Sequence, residues 1–185
     1  MKKAVLATII VSTLSATGIA NAELLQSTIS AGYARSHAKV DNASEDLNGF
    51  NIKYRYELNN DWGMVGSFVH TNYNKDAYGY VPDLQGKPQY TKLASGDLDY
   101  FSVTAGPSYR FNDYLSAYAL VGLGYGKAHV WDGEFSASSD KTSAAYGAGF
   151  QINPMPNLVI DASYEYSKLG DVKVGTWMAG IGYRF

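Results

Sequence analysis

The stretch that most restricts how this chain can fold is its last, Val174 to Phe185, reading VGTWMAGIGYRF. Trp177, Ala179, Ile181, Tyr183 and Phe185 share one parity. Thr176, Met178, Gly180, Gly182 and Arg184 share the other. Successive side chains of a strand point to opposite faces, so this is an extended strand with one large apolar face. Its other face is small and carries one Arg. A soluble protein would bury the apolar face in a core, whereas a membrane barrel would turn it to lipid.

The pattern recurs upstream, and the breaks between segments decide the matter. Alternating segments run over Ser27–His37, Gly49–Leu58, Trp62–Tyr73, Asp97–Phe111, Leu115–Val130, Thr142–Ile152 and Leu158–Tyr166. In the second, Phe50, Ile52, Tyr54, Tyr56 and Leu58 oppose Asn51, Lys53, Arg55 and Glu57. The parities of the third and fifth segments stay open at this point. Pro107 cannot donate to a ladder, which predicts a local irregularity in the fourth. Short turn signals such as Asn59-Asn60-Asp61, Asn112-Asp113 and Asn153–Asn157 alternate with longer polar breaks at 38–48, 74–96, 131–141 and 167–171. Eight segments of about ten residues with alternating short and long connections predict an all-β, eight-stranded antiparallel up-and-down transmembrane β-barrel. The polar parity holds Gly, Ser, Thr and charges, which suits a polar, filled lumen. A lipocalin-like soluble barrel would reverse the faces.

Composition agrees. The 16 Tyr residues suit strands and membrane interfaces, and the absence of Cys excludes disulfides and thiolate metal sites. Met1 to Ala22 reads as a cleavable signal peptide: Lys2 and Lys3, an apolar run from Ala4, and an Ala20-Asn21-Ala22 cleavage site. Residues 23–185 are then the barrel. Without Lys2 and Lys3 the chain has 13 basic and 17 acidic residues, a formal charge of −4, so no nucleic-acid partner is expected.

Several stretches resemble outer membrane protein X and the attachment-invasion (Ail/Lom) family: GFNIKYRYE, TAGPSYRFND, VGLGYGK, YGAGFQINPMPN, DASYEYSKL and VGTWMAGIGYRF. The resemblance spans nearly all strands and short turns and is weakest in the long breaks. It implies a non-enzymatic barrel in the bacterial outer membrane, without cofactors and monomeric. Its implied surface roles are host adhesion and invasion and complement (serum) resistance. Host extracellular-matrix or complement-regulatory proteins are the implied partners. An alternative is an envelope-integrity or stress barrel whose main partner is lipopolysaccharide. The terminal Ile181, Tyr183 and Phe185 look like the signal read by the barrel-assembly machinery.

Candidate residues fall into three sets. Lys53, Arg55, Arg110 and Arg184 are expected to neutralise Glu57, Asp161 and Glu165 as a structural lumen network rather than a pore. Asp161 and Glu165 are four residues apart on one strand, about 13 Å, too far for a glycosidase pair. Tyr78, Tyr80, Tyr90, Trp131 and Phe135 in the long breaks are candidate protein-contact anchors. Lys75, Lys92, Lys127, Lys141, Lys168 and Lys173 are candidate contacts for lipopolysaccharide phosphates. The four long breaks, the last taken on to Lys173, sum to a charge of −2, which argues against a heparin-type ligand held by a basic surface. His37, His70 and His129 lie on the first, third and fifth segments, which are not neighbours. His70 beside Asp97 or Asp99 is the one arrangement that could suggest a hydrolase.

Overall fold

The computed structural model describes residues 26–40, 43–82, 88–132 and 135–185, excepting the side chains at 40, 43, 77, 79–82, 88–94, 130–132 and 135–137. The expected signal peptide lies outside these residues. Eight strands follow in chain order: β1 (Ser27–Val40), β2 (Ala43–Glu57), β3 (Trp62–Pro82), β4 (Pro88–Asn112), β5 (Leu115–Asp132), β6 (Phe135–Met155), β7 (Leu158–Leu169) and β8 (Val172–Arg184). Each pairs antiparallel with its sequence neighbours, and β8 pairs with β1 to close a barrel. The seam runs from Thr28↔Arg184 to Lys39↔Lys173. Ser27 and Phe185 lock its end, each backbone N–H donating to the other's carbonyl at 2.9 Å. The terminal strand that opens the argument is therefore one of the two that remove the sheet's free edges.

Parity sets what faces where. Phe50, Ile52, Val103, Phe150, Ile160, Trp177 and Ile181 point outward and are exposed, as are many further large apolar side chains. An apolar girdle of this extent around a closed barrel is a lipid-facing surface. The two open parities are settled too. In β3, Met64, Gly66 and Phe68 face out while Val65, Ser67, Val69 and Thr71 are buried. In β5, Val121, Leu123 and Tyr125 face out, and Tyr118, Leu120 and Gly124 face in. The lumen is consequently layered, with apolar clusters Val65–Tyr118–Leu120, Ala34–Val69–Met178 and Leu47–Tyr100–Leu169–Val174 among the polar groups.

The short-turn end is built on Asx geometry. Asn59 Oδ1 accepts from the N–H groups of Asp61 and Trp62 (3.0 and 2.7 Å), and Asn112 Oδ1 accepts from Tyr114 and Leu115 (both 2.9 Å). At Pro107 the ladder to β5 skips from Ala105↔Val121 to Ser108↔Tyr118 without changing register, while the ladder to β3 runs through Met64↔Pro107.

The long breaks differ from their sequence reading. They are continuations of the hairpins, paired almost to their tips: Val40↔Ala43, Pro82↔Pro88, Asp132↔Phe135 and Leu169↔Val172. Among the described side chains above the girdle most are exposed on both faces, Leu47 and Leu169 being exceptions, so the alternation fades although the ladder persists. A bulge between Ala77 and Tyr78 bends the longest hairpin, β3–β4. The last connection is a two-residue turn made possible by Gly170 at φ 68°.

Candidate functional site

Between its two mouths the lumen is occupied by side chains. At the inner, short-turn end Glu57 is the hub. Arg110 is paired with its Oε1, Arg184 Nη2 donates to Oε2 at 3.3 Å, and Arg55 lies 3.8 Å from Oε1. One layer further in, Lys53 Nζ donates to Asp161 Oδ1 at 2.7 Å, with both side chains fully buried. Asp161 Oδ2 also accepts from Tyr118 Oη (2.8 Å) and Gln151 Nε2 (3.3 Å), and Gln151 Oε1 accepts from Arg55 (3.1 Å). Higher still, Ser36 Oγ bridges the hydroxyls of Thr71 (2.9 Å) and Thr176 (2.7 Å) across the lumen. One parity of β7 supplies both carboxylates: Asp161 and Glu165 point inward from the same strand but belong to different layers.

Glu165 corrects the expected charge pairing. It is buried, and its partners are hydroxyls: Tyr100 Oη donates at 3.0 Å and Thr104 Oγ1 at 3.3 Å. No cation among the described residues reaches it. The charges are therefore segregated, with surplus guanidinium at the inner end and an unmatched carboxylate towards the outer end. Glycines make room for the two Tyr plugs. A Cβ at Gly149 would run into Tyr118 Oη, and one at Gly124 would sit 2.8 Å from Tyr100 Oη.

On the outer wall the candidate lysines separate. Lys127, Lys168 and Lys173 point outward. Lys75 and Lys141 fall on the lumen-facing parity of their hairpins, so they do not lie on the wall beside lipid. The side chain of Lys92 lies outside the described residues. Strand register adds one residue that sequence spacing cannot supply: Lys39 faces Lys173 across the β1–β8 seam, and Lys173 faces Lys168 across β7–β8. Directly opposite side chains on one face have Cβ atoms about 5 Å apart, so these three form a row of like charges. All three are exposed, and no described acidic group pairs with them. The row lies just beyond Trp177, Tyr164 and Tyr166, rings of the outer aromatic belt.

Below Lys39 on β1, Arg35 and His37 face Asp46 of β2. Arg35 Nη2 donates to Asp46 Oδ2 at 2.7 Å, and His37 Nδ1 is 2.9 Å from Oδ1. Hydrogen bonding from His37, then from Arg35, holds the Asp46 carboxyl below the ordinary Asp range. His70 is an outward ring stacked on Phe101 (centroids 4.3 Å) and edge-on to Phe50 (5.7 Å). Its cross-strand neighbour is Phe101, and Asp99 sits opposite Asn72, so the hydrolase arrangement is not formed. Among the described residues no three His, Asp or Glu gather as a metal site. Of the aromatic anchors, Tyr78 is exposed and donates to Asp76 Oδ2 at 3.2 Å. The side chains of Tyr80, Tyr90, Trp131 and Phe135 lie outside the described residues.

A lipid-girdled, closed barrel with a plugged interior and extended outer hairpins defines a multi-pass protein of the bacterial outer membrane. Comparison gives the family. The model of the enterobacterial Ail/Lom proteins matches residues 1–141 and 132–185, and the chain belongs to that family. It is 50% identical to the attachment invasion locus protein of Yersinia enterocolitica over 190 residues, covering 100% of both chains. It is 42% identical to outer membrane protein X of Escherichia coli K12, covering 86% of this chain and 85% of that one. The crystal structure of Ail from Yersinia pestis matches with a TM-score of 0.76 at 53% identity, covering 87% of this chain and 99% of that one. That protein has also been crystallised with the heparin analogue sucrose octasulfate. The chain is an outer-membrane barrel of an attachment-invasion, virulence-associated family.

Proposed function

We propose that the barrel is a passive scaffold whose outer hairpins make the functional contacts: adhesion to and entry into host cells, and resistance to complement. The observation that carries this reading is the β3–β4 hairpin. It continues from Asn72↔Asp99 to Pro82↔Pro88 beyond the girdle, about 33 Å of paired strand at ordinary rise. A stiff, bulged ribbon of that length holds its tip clear of the membrane, where a host protein can reach it. The attachment and invasion names of the relatives support the same reading. Replacing residues 74–96 and 131–141 by short turns tests it. Host-cell binding and serum survival should fall while the heat-modifiable barrel still assembles; undiminished binding would refute it.

A second reading is favoured by the Lys39–Lys173–Lys168 row. Like charges placed directly opposite oppose the ladder they sit on, so their gathering calls for a polyanion. Beside the aromatic belt, lipopolysaccharide phosphate is the nearest source. The heparin analogue bound by the Y. pestis relative supports a sulfated sugar as the other. The net charge of the outer segments argued against such a ligand, but charge placement differs from charge sum. Changing all three lysines to Ala should weaken lipopolysaccharide retention in reconstituted bilayers, heparin retention, or both; unchanged retention of each would refute the reading.

A further inference from the structure

We propose that the inner mouth of the barrel is a binding site for a small oxyanion, a carboxylate or phosphate presented from the periplasmic side. Three guanidinium groups, those of Arg55, Arg110 and Arg184, surround the single carboxylate of Glu57. Their side chains are only 3%, 14% and 11% exposed, so solvent screens the surplus positive charge poorly. The other two lumen carboxylates lie further up and make no direct contact with these guanidinium groups. Asp161 is matched by Lys53, and Glu165 is held by Tyr100 and Thr104 towards the other end. Asp113 also lines the mouth but is exposed to solvent.

The mouth supplies donors as well as charge. Asn153 Nδ2 and Arg184 Nε, both on residues that line the mouth, are buried with no protein acceptor. A buried donor left unmade costs more than a made one contributes, and guanidinium forks match the two oxygens of a carboxylate or phosphate. The space is adequate: an open cavity of about 830 Å³ lies between the turns at Leu58–Asn60, Asp113–Tyr114 and Asn153–Pro156. The first two of these turns are pinned by the Asx bonds of Asn59 and Asn112, and the third is tied to the second by Asn153 N–H donating to the Tyr114 carbonyl at 2.9 Å, so the walls are preformed.

Side-chain N–H signals of the refolded full barrel, followed by NMR in nanodiscs, give the test. The probes are inorganic phosphate, an acetylated dipeptide with a free C-terminal carboxylate, its C-terminal amide, and chloride at matched ionic strength. Saturable shifts of the Arg and Asn153 signals with phosphate or the free dipeptide, absent with the amide, are expected; whichever of the two binds tighter names the source. Asn153→Ala should weaken binding about tenfold. Glu57→Gln removes the competing carboxylate and should tighten it by about tenfold or more. No saturable shift in the unmodified barrel, or equal shifts with chloride, would overturn the proposal. Unchanged affinity in Asn153→Ala would do the same, and that variant and the unmodified barrel decide the matter should Glu57→Gln fail to fold.

Discussion

Lys53 and Asp161 make the most exacting test of how the lumen is held together. They lie on strands β2 and β7, on opposite walls, and their bond has no access to solvent. Asp161→Asn leaves the Lys53 ammonium facing an amide. Its remaining neighbours are the Asn51 amide oxygen at 2.8 Å, the Met178 sulfur at 3.9 Å and the Tyr118 ring, 6.0 Å to its centroid. Stranding a buried cation in this way costs about 3–5 kcal/mol. Lys53→Met strands Asp161 less completely, because Tyr118 and Gln151 still donate to it, and should cost about 2 kcal/mol. The double variant removes both charges, keeps an acceptor for Tyr118 and fills the lumen with a side chain of similar length. Its cost should be about 1 kcal/mol, because replacing a buried pair outright is far cheaper than halving it. Independent effects would instead add, to about 6 kcal/mol. Urea unfolding in phospholipid vesicles, followed by tryptophan fluorescence and by electrophoretic mobility of unheated samples, measures all three. A double variant at the sum of the singles would refute the pairing.

Other consequences can be checked separately. Gly149→Val drives a side chain into Tyr118 and Ser163, so it should lower stability by about 2–3 kcal/mol in the same assay, with outward Ala148→Val close to neutral. The Asp46 carboxyl, held down by His37 and Arg35, should titrate below the ordinary Asp range by NMR. A folded value below the unfolded one means the contribution of this cross-strand contact is present above the ordinary range and lost as pH falls through the depressed value. His37→Ala should move the Asp46 midpoint back up; an unmoved midpoint would contradict the assigned cause. Deleting Phe185 removes the residue that locks the seam to Ser27 and should lower assembled barrel in the outer membrane more than replacing Tyr78 does, equal yields being contrary evidence.

The girdle was legible because its physics is periodic. Phe50 to Leu58 and Trp177 to Phe185 alternate large and small every second residue, and Asn59 and Asn112 mark turns with their own side-chain acceptors. β3 and β5 were not, because both of their faces hold small or apolar groups: Val65 and Val69 face the lumen, while Gly66 and Ala119 face lipid. The outer hairpins read as loops because above the membrane most described side chains are exposed on both faces and the ladder leaves little mark on the sequence. The site suffered for a different reason. Which charges meet in a barrel depends on register and on contacts across the lumen. Lys39 joins Lys173 and Lys168 only through two ladders, and Glu165 finds Tyr100 and Thr104 instead of an Arg. Lys39 stands outside the candidate cations because only the seam's register brings it to Lys173.

The middle of the barrel is filled with side chains, so its chemistry is confined to its two ends. Tyr100, Tyr118, Gln151, Lys53 and Glu165 are all buried and bridge opposite walls. Conductance of the purified, refolded barrel in planar bilayers tests this most directly. The filled lumen predicts traces without stable open levels; large, long-lived open steps, reproducible across single insertions, would contradict it.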